Sequence, residues 1–151
     1  MTVSGLPSDP VLAPGGKALP FTVTIANPGP TAYADTSLVV SMGHCSCVDT
    51  PTSEAPQGTL QEWSPATGTW DSVRYVTEGT GMDFISRPQL TALSLGPGTS
   101  SSFTFRVRFK ATQPNPVHKG QVMLDATLLS RAQQLLSPSS AASATFQVEA
   151  H

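Results

Sequence analysis

Between Ser94 and Lys110 the chain reads SLGPGTSSSFTFRVRFK. A turn, Leu95-Gly96-Pro97-Gly98, leads into a stretch where Phe103, Phe105, Val107 and Phe109 alternate with Thr104, Arg106, Arg108 and Lys110. Successive side chains of a strand point to opposite faces, so a period of two marks a half-buried strand. A helix would scatter these phenylalanines around its circumference. The apolar face can be buried only under a second sheet, and the cationic face has to meet solvent.

The same alternation recurs in LPFTVTIA at Leu19–Ala26, with Phe21, Val23 and Ile25 opposed to Thr22 and Thr24. Asn27-Pro28-Gly29-Pro30 closes it with turn chemistry. Further strands are expected at Thr2–Leu6, Ala34–Met42, both arms of a hairpin in Thr59–Glu78, Met82–Ile85, Gln121–Leu129 and Ala144–Val148. In the third strand Leu38-Val39-Val40 is too uniformly apolar to define one buried face, and Arg131–Leu136 suits a single helical turn. Fourteen prolines and twelve glycines cut the chain into pieces too short for long helices. A length of 151 residues suits one domain, 1–151, able to bury roughly 70% of its unfolded surface. The expected fold is all-β, a sandwich of two antiparallel sheets with eight or nine strands.

In the hairpin, Trp63 and Trp70 flank Ser64-Pro65-Ala66-Thr67-Gly68-Thr69. Setting Trp63 directly opposite Trp70 also sets Glu62 opposite Asp71. Like charges in that position repel, which favours a bulge at Gly68 and a face shared by Trp63, Val73 and Tyr75.

Residues 13–40, APGGKALPFTVTIANPGPTAYADTSLVV, and 93–109, LSLGPGTSSSFTFRVRF, each place a Pro-Gly turn ahead of a strand. In that order they resemble bacterial surface-protein repeats of the immunoglobulin-like type, including the cell-adhesion-related CARDB class. Residues 44–84 are similar to secreted actinobacterial immunoglobulin-like proteins with a Leu-Gln-x-Trp…Gly-x-Trp hairpin, matched by Leu60, Gln61, Trp63, Gly68 and Trp70. The resemblance implies an immunoglobulin-like sandwich at the cell surface or secreted from it. It further implies a non-catalytic structural or adhesive module, with other envelope proteins or cell-wall polymer as partners. The C-terminal sorting signal carried by many such proteins is absent from this sequence.

Charged residues make up 12% of the chain, against about 25% in average soluble domains. With a net charge of −2 there is no electrostatic footprint for nucleic acid or an anionic membrane surface. No apolar run approaches the ~20 residues of a membrane-spanning helix. The opening MTVSGLPSDP lacks the basic region and apolar stretch of a signal peptide. The sequence contains no Gly-x-Ser-x-Gly elbow, His-Glu-x-x-His pair, phosphate loop or dinucleotide fingerprint. The expectation is therefore a chain that is not an enzyme, with no catalytic residue and no cofactor.

Three constellations carry chemistry. His44-Cys45-Ser46-Cys47, with Asp49 beyond, offers an imidazole and two thiolates to a metal, and His118 is a conceivable fourth ligand. Structural zinc sites space their cysteines more widely, so a local Cys45–Cys47 disulfide or two plain thiols fit better. An extended chain would set these Cα atoms about 6.6 Å apart, the upper edge of disulfide geometry, and a bend at Ser46 would shorten that. Arg106, Arg108 and Lys110, joined by Arg74, form a basic stripe that reads as a solvated face or as a seat for an anionic polymer. Trp63, Trp70 and Tyr75 offer a platform on which sugars stack. Lys17 or Lys110 would be the lysine of an intramolecular isopeptide, although no spacing supports one. A structural or adhesive role leads, and a carbohydrate- or anionic-polymer-binding module is the alternative.

Overall fold

The computed structural model describes residues 1–43, 45–49, 56–78, 82–86, 93–132 and 134–150; of 75–78, 82–86 and 138 only the backbone is described. The expected links at Gly79–Gly81 and Arg87-Pro88 lie outside the described residues. The described strands are β1 (Thr2–Ser4), β2 (Val11–Leu12), β3 (Leu19–Ala26), β4 (Tyr33–Gly43), β5 (Gly58–Ser64) and β6 (Thr69–Ser72). They continue with β7 (Tyr75–Glu78), β8 (Met82–Ser86), β9 (Leu93–Leu95), β10 (Ser100–Phe109), β11 (Gly120–Leu129) and β12 (Ala141–Val148). One sheet has the order β1-β3-β10-β5-β6; the other runs β2-β12-β11-β4-β8-β7, with β9 also on β4. Pairing is antiparallel apart from β2, which runs parallel to β12.

This is an all-β, immunoglobulin-like sandwich. Its twelve described strands exceed the eight or nine expected, for two reasons. Val11–Leu12 and Leu93–Leu95 are too short to show a period. The long second arm of the hairpin breaks after Ser72, so that β6 stays in the first sheet while β7 crosses to the second.

Alternation in β10 becomes burial. Phe105 pairs with Phe21 across the ladder, their rings stacked with centroids 5.5 Å apart and planes at 23°. Val23, Ile25, Val107 and Phe109 are buried beside them, and Phe103 packs half-buried at the margin. The second sheet closes the core with Val122, Leu124, Ala126 and Leu128 of β11, Val40 and Met42 of β4, and Phe146 and Val148 of β12. The Leu38-Val39-Val40 run has no single face because both sides are covered: Val40 enters the core opposite Ala126, and Val39 and Ser41 on the reverse are buried too.

Asn27 does more than form a turn. Its Nδ2 donates to the carbonyls of Thr31, Leu95 and Gly96 at 2.8, 3.2 and 3.1 Å, while its Oδ1 accepts from the Gly29 amide. Its own carbonyl accepts from the Gly98 amide at 2.8 Å. The turn after β3 is thus clasped to the turn before β10, with the amide 5% exposed and its polar atoms satisfied. The described residues of 131–136 do not form the expected helical turn. The Ser130 amide instead donates to Gln134 O, a bridge joins Leu129 to Leu135, and the one described helical turn is 3-10, at Pro138–Ser140.

At the opposite end, residues 45–48 lie against the start of β11. The Ser46 amide donates to Gln121 O and the Gln121 amide to Ser46 Oγ, each at 2.9 Å. Gly120 permits this approach, since a Cβ there would stand 2.6 Å from Ser46 O. Gly120→Ala should therefore lower the denaturation midpoint, by about 1–3 kcal/mol of backbone displacement. Phe105→Ala, which empties the centre of the core, should cost about 3–5 kcal/mol in chemical denaturation with an unchanged slope. A wild-type midpoint for Phe105→Ala would mean that its ring is not buried.

Candidate functional site

Outside the core, β10 turns its other side chains outward, and the register of four ladders sets what surrounds them. Arg106 pairs with Pro20 on one side and Gln61 on the other; Arg108 pairs with Thr59. Gln61 is in turn opposite Ser72, and Trp63 is opposite Trp70. Toward the far edge the outward positions are hydroxyls, with Thr22 bonded to Thr104 at 3.4 Å and Thr24 to Ser102 at 2.9 Å. Thr2 and Ser4 of β1 continue these rows. Every outward position of the five strands is thus a hydroxyl, an amide, an indole, a guanidinium, a proline or an alanine. The carboxylates of Glu62 and Asp71 belong to the reverse face, opposite each other and in register with Phe105.

On this face the indoles and the basic stripe come together. The Trp63 and Trp70 rings meet edge to face, centroids 5.4 Å apart at 61°. The guanidinium carbon of Arg106 stands 4.5 Å from the centroid of Trp70, and its Nε donates to Gln61 Oε1 at 2.7 Å. Since β5 separates β6 from β10, the backbones bearing Trp70 and Arg106 are about 9.6 Å apart. The two side chains therefore lean toward each other and meet above β5, over Gln61. Arg106 is held from two sides, half-buried, with its terminal nitrogens uncommitted to any carboxylate among the described residues. Arg108 is exposed beside it, and Lys110 reaches Gln57 Oε1 at 3.4 Å.

The direct Trp63–Trp70 register corrects the expected bulge. Gly68 does take the left-handed conformation, φ 67°, and its amide donates to Ser64 O at 2.8 Å, but the loop closes without shifting the pairing. An aromatic pair contributes about 0.5–1.5 kcal/mol and an exposed cation–π contact about 0.5–1. Asp71 is exposed and accepts from Thr69 Oγ1 at 3.2 Å, which softens its repulsion of the half-buried Glu62, and the aromatic register prevails. Tyr75 is corrected as well: it belongs to β7 in the second sheet, opposite Ser86, not to the hairpin. Its side chain lies outside the described residues. Arg74 is exposed in the crossover between β6 and β7.

Cys45 and Cys47 are joined as a disulfide, their Cα atoms 5.3 Å apart across the bend at Ser46. Both are buried, and the Cys47 amide donates to Cys45 Sγ at 3.1 Å. His118 is a neighbour, its amide donating to Cys47 O at 2.9 Å, but its Nε2 faces Asp49 Oδ1 at 3.8 Å. His44 lies outside the described residues. With the sulfurs bonded to each other they are not metal-binding thiolates, and no group of three His, Cys, Asp or Glu among the described residues is placed to hold a metal ion. A cavity of about 240 Å³ opens at the Asn27 end, lined by Ile25, Leu95, Leu128, Leu136 and Ser140. Its buried polar groups are already used, Ser140 Oγ on the carbonyls of Leu128 and Ser137 and Asn27 in its clasp.

The sequence matches no family model and no curated protein. Among solved structures the chain is similar to AvmM, which catalyses macrocyclization in alchivemycin A biosynthesis. Identity is 15% and the TM-score 0.58, over 99% of this chain and 88% of that one. Looser likenesses are to the N-terminal domain of PorA (8% identity, TM-score 0.38, 95% and 90% covered) and the ASH/PapD-like domain 7 of human CEP192 (12%, 0.30, 100% and 82%). The likeness to AvmM is one of fold. It nevertheless overturns the expectation that this chain is not an enzyme, which rested on absent sequence signatures and on an architecture taken to be non-catalytic. The same architecture, nearly end to end, belongs to a catalyst, and a catalytic constellation assembled from separate strands need leave no local motif.

The disulfide is open to direct measurement. Intact mass should show two alkylated cysteines only after reduction. Because the closed ring is small, reduction should lower stability by no more than about 1–2 kcal/mol. Two free thiols in protein purified under oxidising conditions would contradict the bond.

Proposed function

We propose that this chain is a carbohydrate-binding module that takes a glycan on the outer face of the first sheet, serving adhesion in a secreted or envelope protein. The observation that carries this is the Trp63–Trp70–Arg106–Gln61 cluster. Two indoles and a guanidinium are braced on a rigid sheet, beside rows of hydroxyls, with no carboxylate on that face. Sugars are bound by this combination: an aromatic ring covers the apolar face of a pyranose, and fixed donors and acceptors address its hydroxyls. Anchors held by packing lose little side-chain entropy on binding. The resemblance of residues 13–40 and 93–109 to surface-protein repeats supports the extracellular setting. A purely structural role would account for the indoles and for the Arg106 contacts to Trp70 and Gln61, but not for the Nη donors that Arg106 keeps uncommitted among the described residues.

Titration with a glycan panel followed by tryptophan fluorescence tests this. A saturable shift is expected, weakened about tenfold in Trp70→Ala by loss of one aromatic contact. The variant's denaturation midpoint confirms that it is folded. Absence of a shift with every glycan would leave the cluster a structural feature and overturn the proposal.

A further inference from the structure

We infer that the glycan is acidic, a polysaccharide of uronic acid residues whose carboxylates are received by Arg106 and Arg108; this rests on the carbohydrate-binding reading. The distribution of charge comes first. The chain has ten acidic and eight basic residues, yet the outer face of the first sheet carries only cations. Arg131 faces Asp35 at 3.6 Å and His118 Nε2 faces Asp49 at 3.8 Å, neither contact on this face. A protein with a negative balance that keeps one sheet face free of carboxylates holds there a positive field that its own side chains do not neutralise.

The chemistry of the cation comes second. Gln61 holds Arg106 through Nε and the Trp70 ring holds its guanidinium carbon 4.5 Å from the ring centroid, so the terminal Nη nitrogens have little freedom left to lose. Two parallel N–H donors in a rigid fork match the two oxygens of a carboxylate. Arg108, two residues on and on the same side, stands about 6.6 Å further along the strand and extends the track. A lysine ammonium would attract polyanions as a point charge; a braced guanidinium addresses two oxygens of one anion at once.

The neighbouring indoles distinguish among anionic polymers. The guanidinium covers one face of Trp70, which leaves Trp63 and the remaining Trp70 surface to stack a ring. In a uronate the carboxylate is attached directly to a pyranose ring, so one residue meets both indole and guanidinium. Chains of glycerol phosphate or ribitol phosphate carry charge without such a ring in the backbone. A sulfated glycan has rings, but each sulfate hangs from them through an ester oxygen and so stands further from a stacked ring than a uronate carboxylate does.

Polygalacturonate, the same polymer after carboxyl reduction, and dextran sulfate are titrated against the full chain at fixed ionic strength. Polygalacturonate should bind at least about tenfold more tightly than its reduced form, the effect of a charge-assisted contact. That preference should be lost in Arg106→Gln, which stays folded with a denaturation midpoint lowered only by loss of its contacts to Trp70 and Gln61, and reduced in the exposed variant Arg108→Gln, whose midpoint should be unchanged. Equal binding of polygalacturonate and the reduced polymer overturns the acidic inference and leaves carbohydrate binding standing. Dextran sulfate binding as tightly as polygalacturonate, indifferent to Trp70→Ala, overturns it in favour of simple charge attraction. If neither these polymers nor the neutral panel binds, both proposals fall.

Discussion

A slip of β10 by one residue against β3 would turn Phe103, Phe105, Val107 and Phe109 to solvent and bury Arg106 and Arg108. Because the side-chain period of a strand is two, no intermediate register exists, and the penalty of the slip grows with every residue in the ladder. The stacked pair Phe21–Phe105 sits in the middle of that ladder and ties the choice to the core. The outer face follows from the same constraint. The register that buries the phenylalanines aims Arg106 at Gln61, and β5 in that alignment carries Trp63 into place beside Trp70. Core and candidate site are the two sides of one register.

The ends of the sandwich are secured by polar means. At one end the Asn27 amide stitches two turns that are 68 residues apart in the chain, measured to Leu95. At the other, Ser46 and Gln121 exchange hydrogen bonds over Gly120, with the Cys45–Cys47 bridge buried alongside. Both ends use groups that would be costly if left unpaired, which makes them specific rather than merely adhesive. The candidate site lies on neither end. It is on the flat of the first sheet, where strand geometry rather than loop conformation positions the side chains.

An architecture shared with AvmM over nearly the whole chain leaves function to be argued from side chains alone, because one sandwich accommodates unrelated chemistries. On that basis the braced guanidinium and the paired indoles outweigh the end cavity. In the cluster Arg106 keeps Nη donors uncommitted among the described residues, whereas in the cavity the buried polar groups are consumed by backbone carbonyls.

Much of this was legible in the sequence. Period-two alternation at 19–26 and 101–110 determined which side chains are buried, since a strand has only two faces and water rejects one of them. Pro-Gly turns at Pro14-Gly15, Pro28-Gly29 and Pro97-Gly98 marked where β3, β4 and β10 begin. Turn chemistry at Gly68 determined its left-handed backbone. Other features belong to the tertiary structure alone. Whether Trp63 faces Trp70 turned on a balance between aromatic contact and charge repulsion, and Arg106 arriving from a strand 36 residues beyond Trp70 adds to the aromatic side. The crossover that sends Tyr75 to the other sheet is invisible locally because both arms remain extended. Separate readings of a basic stripe and an aromatic platform became one site only when β5 was seen to lie between β10 and β6. Adjacency between strands distant in sequence is a property of sheet order, and no local pattern of residues encodes it.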